Sequence, residues 1–398
     1  MRIIWGEIKK IWNWKMLIII AIACLFFYEI FMSYPVEHYK GTDHPRTEHI
    51  ECAEELVKRY GTSVTPEQFA EFVAEERAVL IAEAERYIAS MPIFAEAGIY
   101  NYSDYEALHA DPFEREYTQV ESDAIWTLLG EECDYLGFRL NAIAEFEEYY
   151  GYRESDIADK GGYFYENFSE KEQARLKAQV ANGEHHSVLS YWTFDATNDY
   201  ARYFSILLML SVLILIAPLI ISDRHSKVHY LQYSSKYGRK ILHSQFVAAL
   251  ISAFALTTIL VLIFGRIFSI NGTVLFWNSY LISAFSMKDP ALSITYGGWV
   301  IAMVVLMYVL ALGVTAIAFI ISRFSRNMIE LVVKMLPVFA AMIFLCAAVF
   351  GNLFLIGNAV YQGLKIVVAE VYVSAAFAIL AFAAAIFVMR RERRTNVE

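Results

Sequence analysis

The sequence predicts an all-α membrane protein: six transmembrane helices, an N-terminal interfacial helix and a mostly helical extracytoplasmic domain. Three observations carry this expectation. Hydrophobic residues make up 57% of the 398, above the roughly 45–50% of an average soluble chain. They are gathered into six blocks long enough to cross a bilayer, whose core of about 30 Å takes about 20 helical residues. The charge is also divided, with a net −22 on residues 35–200 and +12 on the remainder.

Residues 1–15 place Ile4, Ile8, Ile11 and Trp12 on one helical face, with Arg2, Lys9 and Asn13 elsewhere. That pattern suits an amphipathic helix on the inner membrane surface. The first span follows at 16–34 and holds one charge, Glu29, near its far end. Met32, Ser33 and Tyr34 lack the small-x-small pattern of a signal-peptide cleavage site, so this span reads as an anchor. Residues 201–389 hold five further blocks: Tyr203–Ile221, Phe246–Gly265, Trp299–Ile321, Met335–Ile356 and Val371–Met389. None contains Asp, Glu, Lys or Arg. Basic residues collect before the first span, in loops 222–243 and 322–334, and in the tail 390–398. The two short loops on the other side hold only Arg266, Lys288 and Lys365. By the positive-inside rule both termini are expected to be cytoplasmic, as in a bacterial plasma membrane protein.

The outer domain, 35–200, reads as helical. Thr65-Pro66-Glu67-Gln68 combines an N-cap, a first-turn proline and a capping box, and the helix it opens runs to Pro92. Ser169-Glu170-Lys171-Glu172 is a second capping box, whose helix Gly183 closes. Residues 48–60 form a shorter helix, and 116–150 one long helix or two broken near Gly130 or Gly137. Fifteen tyrosines lie in this domain, and completing a small helical core is their expected use. Its acidity reads as solubility beside an anionic membrane, or as attraction for cationic ligands.

Catalytic signatures are absent: there is no GxxxxGK[ST], HExxH, GxSxG or CxxC. The chain is therefore not expected to be an enzyme, nor to carry a cofactor, and nothing in it points to nucleic acid. His38, His44 and His49 cluster loosely, as do His185 and His186. His225 and His229 share a helical face with no Cys or carboxylate at ligand spacing beside them, so no metal site is expected. Cys24 and Cys346 lie in spans and read as small apolar residues. Cys52 and Cys133 fall in the outer domain, where a disulfide between them is left open.

A surface helix, one span, a large outer insertion and five more spans resemble the membrane subunits of type-2 ABC exporters. The stretch after the second span, with Asp223, Arg224, Tyr230, Tyr233, Tyr237 and Gly238-Arg239, is similar to that family's coupling segment, although many relatives have Glu where Asp223 stands. Ile321-Ser322-Arg323-Phe324-Ser325-Arg326-Asn327 resembles its second cytoplasmic turn, and Gly351-Asn352 through Gly363 its outer re-entrant hairpin. The resemblance covers residues 1–34 and 190–398. It implies a permease subunit that exports an amphipathic or hydrophobic substrate, peptide or lipid-like. Its pathway would be lined by spans two and five at an interface with a second permease subunit, identical or related. A separate ATP-binding cassette subunit, holding ATP and Mg, would press on loops 222–243 and 322–334. A membrane sensor or peptide-immunity protein, using the outer domain for binding without transport, is the competing expectation.

Overall fold

A computed structural model of the chain describes residues 2–40, 44–109, 116–225, 238, 241–284 and 289–394. These residues are helical, with only isolated β-bridges and no sheet among them. Among the described residues six helices are long and apolar enough to cross a membrane: Trp14–Met32, Tyr191–Asp223, Ile241–Ser269, Tyr296–Phe324, Met328–Phe350 and Ala369–Glu392, called here spans one to six. The protein is thus a multi-pass membrane protein by length and composition of its helices.

Several spans run past the uncharged blocks that announce them. Span two begins at Tyr191 inside the folded domain and continues without a break to Ile216. Pro218 then opens a short continuation, Pro218–His225, because proline cannot donate the next helical hydrogen bond. Span five is displaced toward its start relative to the apolar block. Asn327 caps it by accepting from Glu330 N at 2.9 Å, and Gly351 ends it. The apolar residues beyond Gly351 leave the helix because Asn352 and Phe354 take left-handed backbone conformations, φ 59° and 62°. The expected re-entrant hairpin is therefore a buried loop followed by one short helix, Ala359–Leu364. Asn358 pins that loop. Its side chain donates to the carbonyls of Ala348, Val349 and Gly351 and accepts from Val360 N and Tyr361 N.

Span one ends in a π-helical turn, Tyr28–Met32, in which Ser33 N reaches back to Tyr28 O at 2.8 Å. Span two is the central helix of the bundle, with 83% of its apolar window enclosed against 11% for span one and 17% for span five. Enclosed by its own chain, it has little face left to line a pathway shared with a second subunit. The faces left open belong to spans such as five, where Ile329, Val332, Val333 and Leu336 form one exposed helical stripe. Spans four and six approach closely at Gly313. A Cβ there would lie 2.7 Å from the Phe377 ring and 3.2 Å from Ala378 Cα, so a small residue is required.

The domain between spans one and two follows the capping signals. Arg46–Tyr60, Pro66–Ser90 and Glu170–Ala181 are helices, the last two with complete capping boxes. The 116–150 region divides at Gly130 into Gln119–Leu129 and Leu136–Tyr150, and Asp134 and Tyr135 turn the chain through left-handed conformations. A third capping box, Thr118 with Glu121, opens the first of these helices and is legible in the sequence as Thr-x-x-Glu. Buried tyrosines, Tyr39 and Tyr105 among them, do complete the core, and Tyr150 stacks on Phe69 at 4.0 Å.

The residues between spans three and four are no mere loop. They form two 3-10 turns, Thr273–Phe276 and Leu281–Ser283, which join the domain. Ser187 Oγ donates to Ser283 Oγ at 2.9 Å, and Ser293 Oγ to Glu184 Oε1 at 2.9 Å. Ala291 N donates to Phe354 O at 2.8 Å, and Trp299 Nε1 to Leu353 O at 2.8 Å. The result is a composite cap of residues from 35–200, 270–295 and 351–368, built over the heads of spans two and four.

His49 joins cap to span two, since its Nδ1 lies 3.0 Å from Ser190 Oγ and its ring stacks on Phe146. Burial pushes this imidazole down to about 4 from 6.5. Glu145, half exposed, lies 3.9 Å from Nε2. Between those values the unfolded chain holds a proton that the folded one does not, so stability falls as the pH falls. The expected loss from pH 7 to pH 4 is about 3 kcal/mol. His49→Asn should flatten that part of the pH profile of thermal unfolding in detergent; an unchanged slope would place the sensitivity elsewhere.

Candidate functional site

The N-terminal helix, the end of span two, the start of span three and the ends of spans four and six gather at the end of the bundle opposite the cap. The N-terminal helix is Arg2–Ile11, and its apolar face is used within the protein. Ile11 is buried, and Ile4, Ile8 and Trp12 pack partly buried against the core, while Trp5 and Trp14 remain exposed. The face that the sequence assigns to the membrane surface is thus largely covered by the chain's own spans.

A polar knot forms beneath this helix. Lys10 Nζ donates to Glu7 Oε1 at 2.8 Å and to Asp223 Oδ1 at 3.0 Å. Gln245 Nε2 completes it, donating to Asp223 Oδ2 at 2.7 Å and to Glu7 Oε2 at 3.2 Å. Both carboxylates are 4% exposed, and Gln245 is 2% exposed. Burial pulls the Lys10 ammonium down, but its hydrogen bonds to Glu7 and Asp223 outweigh that and leave its pKa above the ordinary value. Glu7 and Asp223 share the Lys10 ammonium, and the Gln245 amide places a donor on each carboxylate. The knot ties the N-terminal helix, the end of span two and the start of span three to one another. Ile220 N, donating to Ser322 Oγ at 3.1 Å, adds the end of span four.

Asp223 is therefore a buried internal anchor. The other residues of the two segments that the sequence likens to coupling loops divide. Tyr230, Tyr233, Tyr237 and Arg239 lie outside the described residues, as does the Arg224 side chain. Gly238 is described, with φ +48°, a conformation suited to glycine. Arg323 donates to Glu392 Oε2 at 2.6 Å, tying span four to the tail end of span six. Asn327 is the cap of span five, and Arg326 is exposed, its backbone N–H donating to Glu330 at 2.8 Å. Sequence reasoning missed Glu7, Lys10 and Gln245. The signals were there: Glu7 is the lone carboxylate of a basic segment, and Gln245 sits at the mouth of an apolar run.

A cavity of about 250 Å³ lies beside the knot, between Lys10, Asn13, Leu215, Pro218, Ser222 and Met328. At the opposite end the cap holds a larger one of about 500 Å³. Phe72, Leu80 and Ile143 form its apolar side, and five glutamates with Lys40, Lys58 and Arg139 its polar side. Lys40 and Lys58 both pair with Glu54, and Arg139 with Asp134. The remaining surface is acidic, through Glu51, Glu55 and Glu76. Burial together with Glu76 and Glu55 pushes up the Cys52 thiol that lines this cavity. Cys52 and Cys133 are free thiols, and Cys133 Sγ instead contacts Met91 Sδ at 3.9 Å, so the disulfide left open by the sequence is not formed.

Compared with known proteins, the chain matches no family model, no curated protein and no solved structure. Its function has to be read from its own residues.

Proposed function

We propose that the chain is the permease subunit of an ABC-type exporter, set in a bacterial plasma membrane with both termini cytoplasmic. The polar knot is the observation that supports this reading best. It makes the chain on both sides of the 226–240 segment continuous with the N-terminal helix and with spans two, three and four. A force applied to that segment by an ATPase would be carried into four elements rather than absorbed by a loose linker. ATP and Mg would be held by that separate subunit, whose preference for one nucleotide state supplies the energy. Because span two is enclosed, the pathway in this reading lies between two permease subunits. It is bordered by the open faces of spans such as five, whose exposed groups are apolar and suit an amphipathic or lipid-like cargo. The acidic cavity of the cap fits a cargo that is also cationic. The attraction weakens with salt, since the Debye length falls from about 10 Å at 0.1 M to about 3 Å at 1 M.

The chain purified from its own membrane should carry an ABC-type ATPase and hydrolyse ATP. Tyr233→Asp with Tyr237→Asp should release that ATPase while leaving the chain membrane-inserted. Recovery of the chain alone, with cap binding of cationic peptide retained, would favour ligand sensing without transport.

A further inference from the structure

One cluster in the cap has no part in the knot or in the acidic cavity. Glu154 lies on the short helix Tyr152–Ala158, while His185 and His186 lie on the 3-10 turn Glu184–His186. Gly183, at φ +74°, turns the chain between helix Glu170–Ala181 and that turn. Both imidazoles converge on one carboxylate oxygen. His185 Nε2 lies 3.2 Å from Glu154 Oε1, and His186 Nε2 lies 3.7 Å from the same atom. The three donor atoms fall within 4.8 Å of one another.

Hydrogen bonding accounts for one of these approaches only. The His185 contact is a long hydrogen bond, whereas 3.7 Å is too far for one. A tetrahedral ion accounts for both. Zinc bonds of about 2.0–2.1 Å set neighbouring ligand atoms about 3.3–3.4 Å apart, which falls between the two distances. The ring positions are also fixed by the fold. His186 stacks on Tyr150 at 5.3 Å and 13°, and Tyr150 is held by its hydroxyl donating to Val64 O at 2.6 Å. His185 is buried at 3% exposure. Glu154, with its side chain 61% exposed, leaves the cluster open to solvent.

We propose that Glu154, His185 and His186 form a zinc-binding site on the cap. Two imidazoles and one carboxylate suit zinc better than magnesium or calcium, which take oxygen ligands. Three protein ligands leave a fourth position for water or for a donor atom of a bound molecule. The bound ion would hold helix Tyr152–Ala158 to a turn that is already tied to Ser293 and Ser283, a few residues before span two begins at Tyr191. Zinc would therefore staple the cap over the head of span two, and it would raise the stability of the folded chain by mass action.

The test uses the full chain in detergent, purified without a histidine tag, stripped by chelator and titrated with zinc alone. One zinc per chain is expected, with an upward shift of the melting temperature, and with no response to magnesium or calcium. Glu154→Gln and His186→Gln should each weaken zinc binding at least tenfold. Glu154 is exposed, so Glu154→Gln should melt like the parent in the absence of zinc, which separates lost binding from lost folding. Cobalt in the parent should give the visible absorption of a tetrahedral site, absent from both variants. No zinc uptake by the parent, or equal uptake by the parent and both variants, would overturn the proposal.

Discussion

Replacing Lys10 by alanine is expected to destabilise the protein by about 3 kcal/mol, the lower end of what removing one partner of a buried ion pair costs. The reason lies in what remains. Glu7 and Asp223, each 4% exposed, would lose the cation they share and keep the hydrogen bonds from the Gln245 amide. The lower end is chosen because the Lys10 side chain is itself 37% exposed, so water replaces part of what is lost. The raised pKa of Lys10 fixes the pH range of the effect: its contribution is whole at neutral pH and fades only above the ordinary lysine value. Thermal unfolding in detergent should show Lys10→Ala well below the parent, with Lys10→Arg close to it. The double variant Lys10→Ala with Glu7→Gln should recover part of the loss, because it removes the charge of one of the two carboxylates that shared the ammonium. Full parental stability in Lys10→Ala would mean that the knot does not hold the N-terminal helix.

Arg153→Ala should be similarly damaging at the opposite end. Arg153 is 9% exposed and pairs with Asp289 Oδ1 at 2.5 Å, with Asp156 at 3.8 Å. This contact joins helix Tyr152–Ala158 to the segment between spans three and four. Burial raises the Asp289 pKa, and the Arg153 guanidinium pulls it back only in part. Without Arg153 two buried carboxylates are stranded, at a cost of about 3–5 kcal/mol at neutral pH. A carboxylate whose pKa is raised, as that of Asp289 is, favours the folded state at low pH and opposes it as the pH rises through it. The variant should therefore recover on acidification, and Asp289→Asn in the same background should restore stability at neutral pH. Limited proteolysis should cut the 270–295 segment of the variant first. A variant whose deficit is the same at pH 5 and pH 8 would contradict this account.

The helices of this protein were largely legible, because bilayer crossing and helix capping both leave local signals. Thr65 with Gln68 and Ser169 with Glu172 announce two helices of the cap, and charge-free runs announce the spans. What was not legible depended on distant partners. Lys10 and Asp223 stand 213 positions apart, more than half the length of the chain, and nothing in either neighbourhood names the other. Glu154 reads as one more carboxylate of an acidic domain until the fold sets it beside His185 and His186. Hydropathy alone could not separate the apolar residues after Gly351 from the helix before them, since a buried loop and a span have the same composition. Nor could it separate an N-terminal helix that packs on its own bundle from one that lies on lipid, because both need the same apolar face.

The arrangement of cap and termini on opposite sides of the membrane is the claim on which the rest depends, and thiol labelling of cells tests it most directly. Cys133 and Cys346 are buried, and Cys24 and Cys52 are half-buried, so replacing the latter two by alanine gives a quiet background. A membrane-impermeant maleimide should then label Tyr100→Cys, a position 72% exposed on the cap, in intact cells. It should label Arg326→Cys, exposed at the turn between spans four and five, only after the membrane is opened. Labelling of Arg326→Cys from outside, with Tyr100→Cys protected, would contradict the account.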